Sequence, residues 1–309
     1  MRPRLPCAGL KNSFVGVVFD MQRILLAVLV LMLTCSPVRA ALDNTHRQWS
    51  ELLKQHVQWN KKGTNTSVNY DGFIKDRAKL NAYLKNISSL NRQEYSTWPL
   101  NEQQAFLINA YNAYTIDLVL TRYPDLTSIK DIGGVFSSPW KKPFFTLLGE
   151  KRSLDDLEHT LLRGDKRYQE PRIHFAVNCA SIGCPALRNE AYTGALLANQ
   201  LEDQTIRFLS DSSRNRFNLK TGKFTVSKIF EWYAEDFDKY SGGTKLFLAR
   251  YADKTNVPPA EAAAIKRAKF KIAYSTYDWT LNKLNEKHYA ERLVTSIDPE
   301  LLWRSAFFQ

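Results

Sequence analysis

The stretch Ala105-Phe-Leu-Ile-Asn-Ala-Tyr-Asn-Ala-Tyr-Thr-Ile-Asp-Leu-Val-Leu120 decides the fold prediction, because it is apolar on nearly every side. A helix with this pattern is covered by neighbouring elements over most of its surface. We expect the helix to open between Ser96 and Asn101 and to run through Tyr123, since Pro124 ends it. The sequence therefore predicts a long helix inside the hydrophobic core.

Two asparagines interrupt this apolar helix. Asn109 and Asn112 lie on one face with Ile116, and buried amides need hydrogen-bonding partners. In one interpretation both amides are structural and tie the helix to neighbouring loops. In the other they belong to a functional site, where Asn109 orients a catalytic base and Asn112 contacts a ligand.

Helical and extended patterns alternate on both sides of this helix. Apolar spacing predicts further helices at residues 42–57, 74–86, 154–163, 194–209, 228–237, 245–252 and 259–268. Short apolar runs and turn signals predict strands at residues 143–149, 172–178 and 270–274, and a strand pair at 216–226. The pattern predicts an α+β fold with a central antiparallel or mixed sheet flanked by helices. We expect one domain at residues 41–283, followed by a tail at 284–309.

One carboxylate points towards the core from the helix predicted at 154–163. Glu158 falls four residues after Leu154, inside the apolar face. A carboxylate buried without a partner is costly. Either an ion pair with Arg163 or Arg172 satisfies Glu158, or Glu158 has a role in a functional site.

The predicted domain holds two cysteines, Cys179 and Cys184, and His174 lies shortly before them. Arg172-Ile-His-Phe-Ala-Val-Asn178 is an apolar run after Pro171, which predicts a buried strand carrying His174. The strand leads into Asn178-Cys-Ala-Ser-Ile-Gly-Cys-Pro185, which holds Cys179 and Cys184. The two thiols either pair as a short-range disulfide, or Cys179 stays free as a nucleophile.

A thiol enzyme needs a thiolate, a base that generates it and a group that orients the base. Cys179 is the candidate nucleophile, His174 the candidate base, and Glu158 or Asn109 the candidate orienting group. Two residues five positions apart on a continuous strand lie on opposite faces. The catalytic hypothesis therefore requires the chain to bend near Asn178.

Several ordered stretches resemble the domain of unknown function 547 family. They are Ala105-Phe-Leu-Ile-Asn-Ala-Tyr-Asn-Ala113, Ser153-Leu-Asp-Asp-Leu-Glu-His159, His174-Phe-Ala-Val-Asn-Cys-Ala-Ser-Ile-Gly-Cys-Pro185, Ile229-Phe-Glu-Trp-Tyr233, Glu235-Asp-Phe237 and Tyr277-Asp-Trp-Thr-Leu-Asn282. The resemblance implies an exported bacterial domain, or an intracellular plant domain attached to a coiled coil. It also implies a fold similar to papain-like or transglutaminase-like thiol enzymes. The family's function is unsettled, so the resemblance names no substrate.

The first 40 residues are predicted to be a removable leader. Met21 opens a short basic segment before an apolar run from Ile24 to Leu33, and a small-residue cleavage site ends at Ala40. The run is too short to span a bilayer, which needs roughly 20 apolar residues. We expect translation from Met21, cleavage after Ala40, no transmembrane span after cleavage, and a periplasmic or secreted protein.

Charge and motif content disfavour several kinds of partner and cofactor. The chain has a formal charge of +12, but its basic residues are scattered without stacking motifs, which disfavours nucleic acid as a partner. The expected partner is an envelope peptide or protein. The five histidines lack the close spacing of metal ligands, and neither a phosphate-binding loop nor a Gly-x-Ser-x-Gly elbow is present. We predict no metal site and no cofactor.

Two classes of function remain. The first is a thiol-dependent hydrolase or acyl transferase on an envelope peptide or amide, with Cys179 and His174 at its centre. The second is a non-catalytic binding or scaffold domain with a Cys179–Cys184 disulfide and a buried polar network or ligand pocket. Trp232 belongs to an aromatic group that is interpreted either as core or as a sugar-stacking surface.

Overall fold

The structure is a computed structural model that describes residues 43–134 and 138–284. The predicted leader at 1–40 lies outside the described residues, and so does the predicted tail beyond Leu284. Within the described part, no helix is both long enough and apolar enough to cross a membrane.

Helices are the main regular structure of the described chain. The α-helices are α1 Arg47–His56, α2 Tyr70–Lys75, α3 Arg77–Ser88, α4 Arg92–Ser96, α5 Leu100–Leu120, α6 Leu154–Asp156, α7 Leu197–Leu209, α8 Ile229–Trp232, α9 Ala234–Ser241, α10 Thr244–Tyr251 and α11 Pro259–Lys266. Two 3-10 helices span Ile129–Ile132 and Pro171–Phe175, and a π-helix spans Leu157–Leu162. The strands are β1 Val57–Trp59, β2 Thr66–Val68, β3 Phe145–Leu147, β4 Glu150–Arg152, β5 Arg216–Asn218, β6 Lys223–Val226 and β7 Lys271–Tyr274.

The predicted α+β class is confirmed, but the strands form three small sheets rather than one central sheet. β1 pairs with β2, and β3 pairs with β4, in antiparallel two-stranded sheets. The third sheet is mixed, because β6 is antiparallel to β5 and parallel to β7. Since each strand is only three or four residues long, the helices supply most of the core.

The long helix predicted from the opening stretch is α5. Every residue from Gln103 to Ile116 is buried, as the apolar pattern predicts. α5 ends at Leu120, three residues before the expected end at Tyr123. Around it lies the larger of two clusters of buried apolar side chains, to which α1 and α3 also contribute.

A second cluster is rich in phenylalanine and is built around Phe175, Phe208, Phe230, Phe237 and Phe247. The 3-10 helix Pro171–Phe175 joins the two clusters, because Ile173 belongs to the first and Phe175 to the second. His174 lies between these two anchors and is therefore held at the boundary of the two cores.

The strand predicted at 172–178 is wrong, because its first half is this 3-10 helix. Pro171 fits the first turn of a helix, where its missing N–H costs no hydrogen bond. The Glu170 side chain accepts a bond from the Arg172 N–H (3.0 Å), and the Ala176 N–H donates to the Ile173 carbonyl (2.9 Å). A short apolar run does not by itself distinguish a buried strand from a buried helical turn.

The helix predicted at 154–163 is present in a modified form. The Ser153 side chain caps it by accepting a bond from the Asp156 N–H (3.1 Å). After the short α6 the backbone widens into the π-helix Leu157–Leu162, where the Arg163 N–H donates to the Glu158 carbonyl (2.9 Å). Single-turn π segments occur frequently at functional sites.

Residues 277–284, which we call the C-terminal strap, join three distant parts of the chain. The Leu281 N–H donates to Thr127 (2.7 Å), the Asn282 N–H donates to Ala180 (3.1 Å), and the Leu284 N–H donates to Val68 (2.8 Å), each at the backbone carbonyl. The strap therefore lies across the cysteine loop and contacts it.

Candidate functional site

A cavity of about 210 Å³ lies beside the cysteine loop. Its lining combines the π-helix, the 3-10 helix at residue 174, α8 and the C-terminal strap. The lining side chains that matter below are Tyr111, Trp140, Asp155, Glu158, His159, His174, Cys179, Cys184, Trp232, Tyr233, Tyr277 and Trp279.

Cys179 and Cys184 form a disulfide, with their Cα atoms 6.1 Å apart. Asn178 shapes the loop between them, since its side chain donates to the Pro185 carbonyl (2.7 Å) and accepts from the Ala180 N–H (2.9 Å). The structure thus adopts the pairing that the sequence left as one of two alternatives, and neither sulfur is a free thiol.

Tyr277 of the strap covers the disulfide. Its hydroxyl lies 3.3 Å from the Cys179 Sγ, 3.2 Å from the Cys184 Sγ and 3.3 Å from the Ser181 Oγ. Burial raises the pKa of Tyr277 to about 12, so its hydroxyl is protonated at neutral pH. This contact fixes one aromatic ring of the cavity directly onto the disulfide.

The two asparagines of α5 make structural hydrogen bonds to backbone groups and do not line the cavity. Asn112 donates to the Ala176 carbonyl (3.0 Å) and accepts from the Asn178 N–H (2.8 Å), which ties α5 to the start of the cysteine loop. Asn109 donates to the Tyr192 carbonyl (2.7 Å) and accepts from its N–H (2.9 Å). The structural interpretation of both amides accounts for these contacts.

His174 is oriented by Asp236, a residue that sequence reasoning did not assign to the site. The side chain of His174 is fully buried, and its Nε2 donates to the Asp236 Oδ2 (2.7 Å). Arg163 donates to both oxygens of the same carboxylate, at 2.7 and 3.2 Å. The His174 Nδ1 is buried without a hydrogen-bond partner among the described residues.

Burial and hydrogen bonding set the pKa values of His174 and Asp236 in opposite balance. Burial lowers the pKa of His174, against the opposing effect of the hydrogen bond to Asp236, so the imidazole is neutral near pH 7. Burial raises the pKa of Asp236, but the bonds from His174 and Arg163 outweigh it and hold that pKa below its usual value. The three residues therefore carry one negative and one positive charge, which cancel.

Glu158 is buried, as its place in the apolar face predicts, with 6% of its surface exposed. Its Oε1 accepts from the Tyr233 hydroxyl (2.5 Å), and the Tyr111 hydroxyl also hydrogen-bonds to it. The ion pair expected from Arg163 or Arg172 is not formed. Arg163 pairs with Asp236, and Arg172 pairs with two other glutamates, Glu170 and Glu202.

The Tyr233 ring connects the carboxylate and the histidine. It stacks on the His174 ring with centroids 3.8 Å apart, and its hydroxyl donates to Glu158. Sequence reasoning placed Glu158 beside His174 as an orienting group. In the structure Tyr233 lies between the two side chains, and Asp236 makes the contact to the imidazole.

Four aromatic side chains, Trp140, Trp232, Tyr277 and Trp279, form one side of the cavity, which we call the aromatic wall. Trp232 lies 4.8 Å from Tyr277 and 5.7 Å from Trp279 between ring centroids, and Trp140 lies 5.7 Å from Trp279. Trp232 is 45% exposed, whereas its neighbour Phe230 is fully buried. Trp232 therefore lies on the cavity surface and does not belong to the phenylalanine-rich cluster, and its sugar-stacking role stays a prediction.

The charges on the cavity lining are acidic. Asp155 and Glu158 supply two carboxylates, and no lysine or arginine belongs to the lining within the described ranges. The nearest basic ring to Asp155 is that of His159, with Nε2 3.7 Å from the carboxylate. No group of three or more metal-ligating side chains occurs within residues 43–134 and 138–284.

Comparison with known proteins gives a family but no function. Residues 95–209 match the family described as protein of unknown function, DUF547. The match contains Glu158, His174 and both cysteines, and it stops before Trp232 and the strap. No curated protein and no solved structure matches the chain.

Proposed function

Residues 95–209 belong to the DUF547 family of unknown function, and we propose that the chain is a small-ligand-binding protein that uses the cavity beside the cysteine loop. The observation that carries the proposal is the aromatic wall, which lines the same cavity as the buried Glu158 carboxylate and contacts the disulfide through Tyr277. The ligand is held in the cavity without a covalent bond to the cysteines.

The composition of the cavity supports this proposal. Ligand sites are concave and mostly apolar, with a few polar groups that fix orientation. Here the aromatic wall offers the apolar contact, and Glu158 and His174 offer the polar groups. Each polar group is already held by its neighbours, Tyr233 for Glu158 and Asp236 for His174. Such preorganisation lowers the entropic cost of binding.

A fragment screen by ligand-observed NMR tests the proposal on the purified protein. Fragments that bind the cavity are expected to lose most of their binding in Trp232→Ala, because Trp232 is exposed in the wall and its removal leaves the core intact. Trp59→Phe is the matched control, since Trp59 lies outside the cavity and bonds to Asn189 (2.9 Å). Binding that is absent, or equal in all three proteins, contradicts the proposal.

A thiol-dependent hydrolase or acyl transferase is the second candidate. It is favoured by one observation, namely that Cys179, His174 and Glu158 all line the same cavity. An external dithiol would first reduce the disulfide and become oxidised itself. The Cys179 thiolate would then attack an amide carbonyl, His174 would transfer the thiol proton to the departing amine, and water would hydrolyse the thioester.

Alkylation of the reduced protein distinguishes the two candidates. The thiol mechanism predicts that iodoacetamide labels Cys179 rapidly at pH 6, and that His174→Gln abolishes this rapid labelling. A neighbouring base is what makes a thiol reactive below its ordinary pKa of about 8.5. Equal, slow labelling in both proteins would remove the thiol mechanism and leave ligand binding.

Export to the periplasm or beyond is part of the proposal. The leader pattern at residues 21–40 supports it. The disulfide supports it too, because disulfides persist mainly in oxidising compartments. Amino-terminal sequencing of the protein from its native host is expected to begin at Ala41, and a start at Met1 or Met21 would contradict export by cleavage.

A further inference from the structure

Resting on the ligand-binding function proposed above, we infer that the cavity takes a small organic cation, specifically an alkylated ammonium group. The aromatic wall and the Glu158 carboxylate together carry this inference. It names a ligand class that the match to a family of unknown function does not provide.

The first step is the charge on Glu158. Its oxygen accepts hydrogen bonds from two neutral tyrosines, Tyr233 and Tyr111, which satisfy its hydrogen-bonding capacity only in part and bring no positive charge into contact with it. Within residues 43–134 and 138–284, no lysine, arginine or histidine forms an ion pair with it. A buried charge without a counter-charge is costly, and a cationic ligand in the cavity would supply that counter-charge.

The second step is that Arg163, whose charge interacts with Glu158 without contacting it, is already engaged elsewhere. Arg163 gives two hydrogen bonds to Asp236 and one to the His159 Nδ1 (2.7 Å). The neutral imidazole of His174 adds no positive charge. The described side chains therefore pair Arg163 with Asp236 and leave the two carboxylates of the lining, Asp155 and Glu158, without a lysine or arginine ion pair.

The third step is the chemistry of the wall. Aromatic faces attract cations, and clusters of such faces recognise quaternary ammonium groups. The fold already uses two rings at this site in that way. The Lys130 Nζ lies 3.7 Å from the centroid of the Trp279 ring, and the Arg163 Cζ lies 4.9 Å from that of Tyr233.

Three rings remain for a ligand. Within the described residues, Trp140, Trp232 and Tyr277 lie under no protein cation. All three line the cavity that Glu158 also lines. An alkylated ammonium ion suits this arrangement, because it presents charge and apolar surface together and needs few hydrogen-bond acceptors. A sugar also stacks on aromatic rings, but a neutral sugar would leave the charge of Glu158 unbalanced.

Isothermal titration calorimetry with matched probes tests the inference. Choline is compared with 3,3-dimethyl-1-butanol, which replaces the charged nitrogen by carbon at nearly constant shape. We expect choline to bind at least about tenfold more tightly than this neutral isostere, as a desolvated cation–π contact implies. Glu158→Gln is expected to remove most of that preference, since it keeps the hydrogen-bond acceptor and deletes the charge.

Two controls keep the test specific. Glu235→Gln makes the same charge change at an exposed position outside the cavity, and it should leave choline binding within about twofold, since exposed charges are screened. Trp232→Leu removes a ring from the wall at a position that is 45% exposed, and it should weaken choline binding without unfolding the protein.

The outcomes separate the inference from the function on which it rests. Choline binding that depends on both Glu158 and Trp232 supports both. Equal binding of choline and its isostere, or binding of methyl glucoside alone that depends on Trp232, overturns the cation inference and keeps the ligand-binding function. If no probe and no fragment shows binding that depends on Trp232, both are overturned.

Discussion

At the scale of the residue, the sequence pattern identified most of the candidate site residues but not their contacts. His174, Cys179, Glu158 and Trp232 were singled out from sequence, and all four line one cavity. Asp236 was missed in its role, although it lies within the Glu235-Asp-Phe237 stretch, because its contact with His174 spans 62 residues of sequence. Periodicity reports which face a residue occupies, but not which distant residue lies opposite.

Removing the Asp236 carboxylate is expected to destabilise the protein. In Asp236→Asn, Arg163 and His174 lose the charge that both contact, and Arg163 remains largely buried. Breaking a buried ion pair from one side costs roughly 3 kcal/mol. Urea denaturation measures the free energy of unfolding. Asp238→Asn is the control at an exposed neighbour on α9, and an equal effect of the two substitutions would refute a special role for Asp236.

Buried histidines predict a loss of stability in acid. Burial lowers the pKa of His46 to about 4, below its unfolded value near 6.5. Between these values the unfolded state binds a proton that the folded state does not, so stability falls as the pH falls through this window. The expected slope is about 1.4 kcal/mol per pH unit for one proton.

Denaturation at pH 5 and pH 7 tests this slope with two variants. His46→Gln should flatten it. Tyr83→Phe should keep it, because that change removes only the hydroxyl that bonds to the His46 Nδ1 (2.8 Å) and leaves the imidazole buried. An unchanged slope in His46→Gln would show that other groups control the acid response.

At the scale of the element, most predicted helices and strands are present, and the segment at 172–178 is the clear error. α5, the β5–β6 pair and the helices near residues 245 and 259 lie where apolar spacing places them. The segment at 172–178 was mistaken for a strand, since a run of that length fits either structure and tertiary contacts decide between them. The helix predicted at 74–86 begins earlier and is divided at Asp76 into α2 and α3.

The two asparagines of α5 give a matched pair for testing how this helix supports the cysteine loop. Asn112→Ala and Asn109→Ala should each cost roughly 2 kcal/mol, because each leaves buried backbone groups without a partner. Only Asn112→Ala should also speed reduction of the disulfide by dithiothreitol, because Asn112 holds the start of that loop. Equal reduction rates in the two variants would contradict this division of roles.

At the scale of the whole molecule, composition and pattern gave the α+β class but not the architecture. The sequence suggested one central sheet, whereas three small sheets surround two clusters joined at His174. Strand pairing of such short segments depends on contacts far apart in sequence, as when β7 joins β6 in parallel. The expected similarity to papain-like or transglutaminase-like enzymes stays a prediction.

The disulfide is expected to matter more for the cavity than for global stability. Closing so short a loop contributes about 2 kcal/mol in the chain-entropy model. Cys184→Ser should therefore lower the free energy of unfolding only modestly. The free energy of ligand binding should fall by more than the free energy of unfolding, because the Tyr277 hydroxyl contacts both sulfur atoms. Calorimetry and denaturation on the same variant compare the effects, and unchanged binding would contradict a supporting role.

The C-terminal strap also sets an order of events during biosynthesis. Cys179 and Cys184 are five positions apart, so they can meet as soon as their loop leaves the exit tunnel or the membrane channel. Tyr277 and Trp279 are made almost a hundred residues later. The nascent chain can therefore oxidise its cysteines early, while the aromatic wall is completed only when synthesis is nearly finished. A chain that stops before the strap would lack two of the four rings of the wall, and under the ligand-binding proposal we expect it to be oxidised but unable to bind ligand.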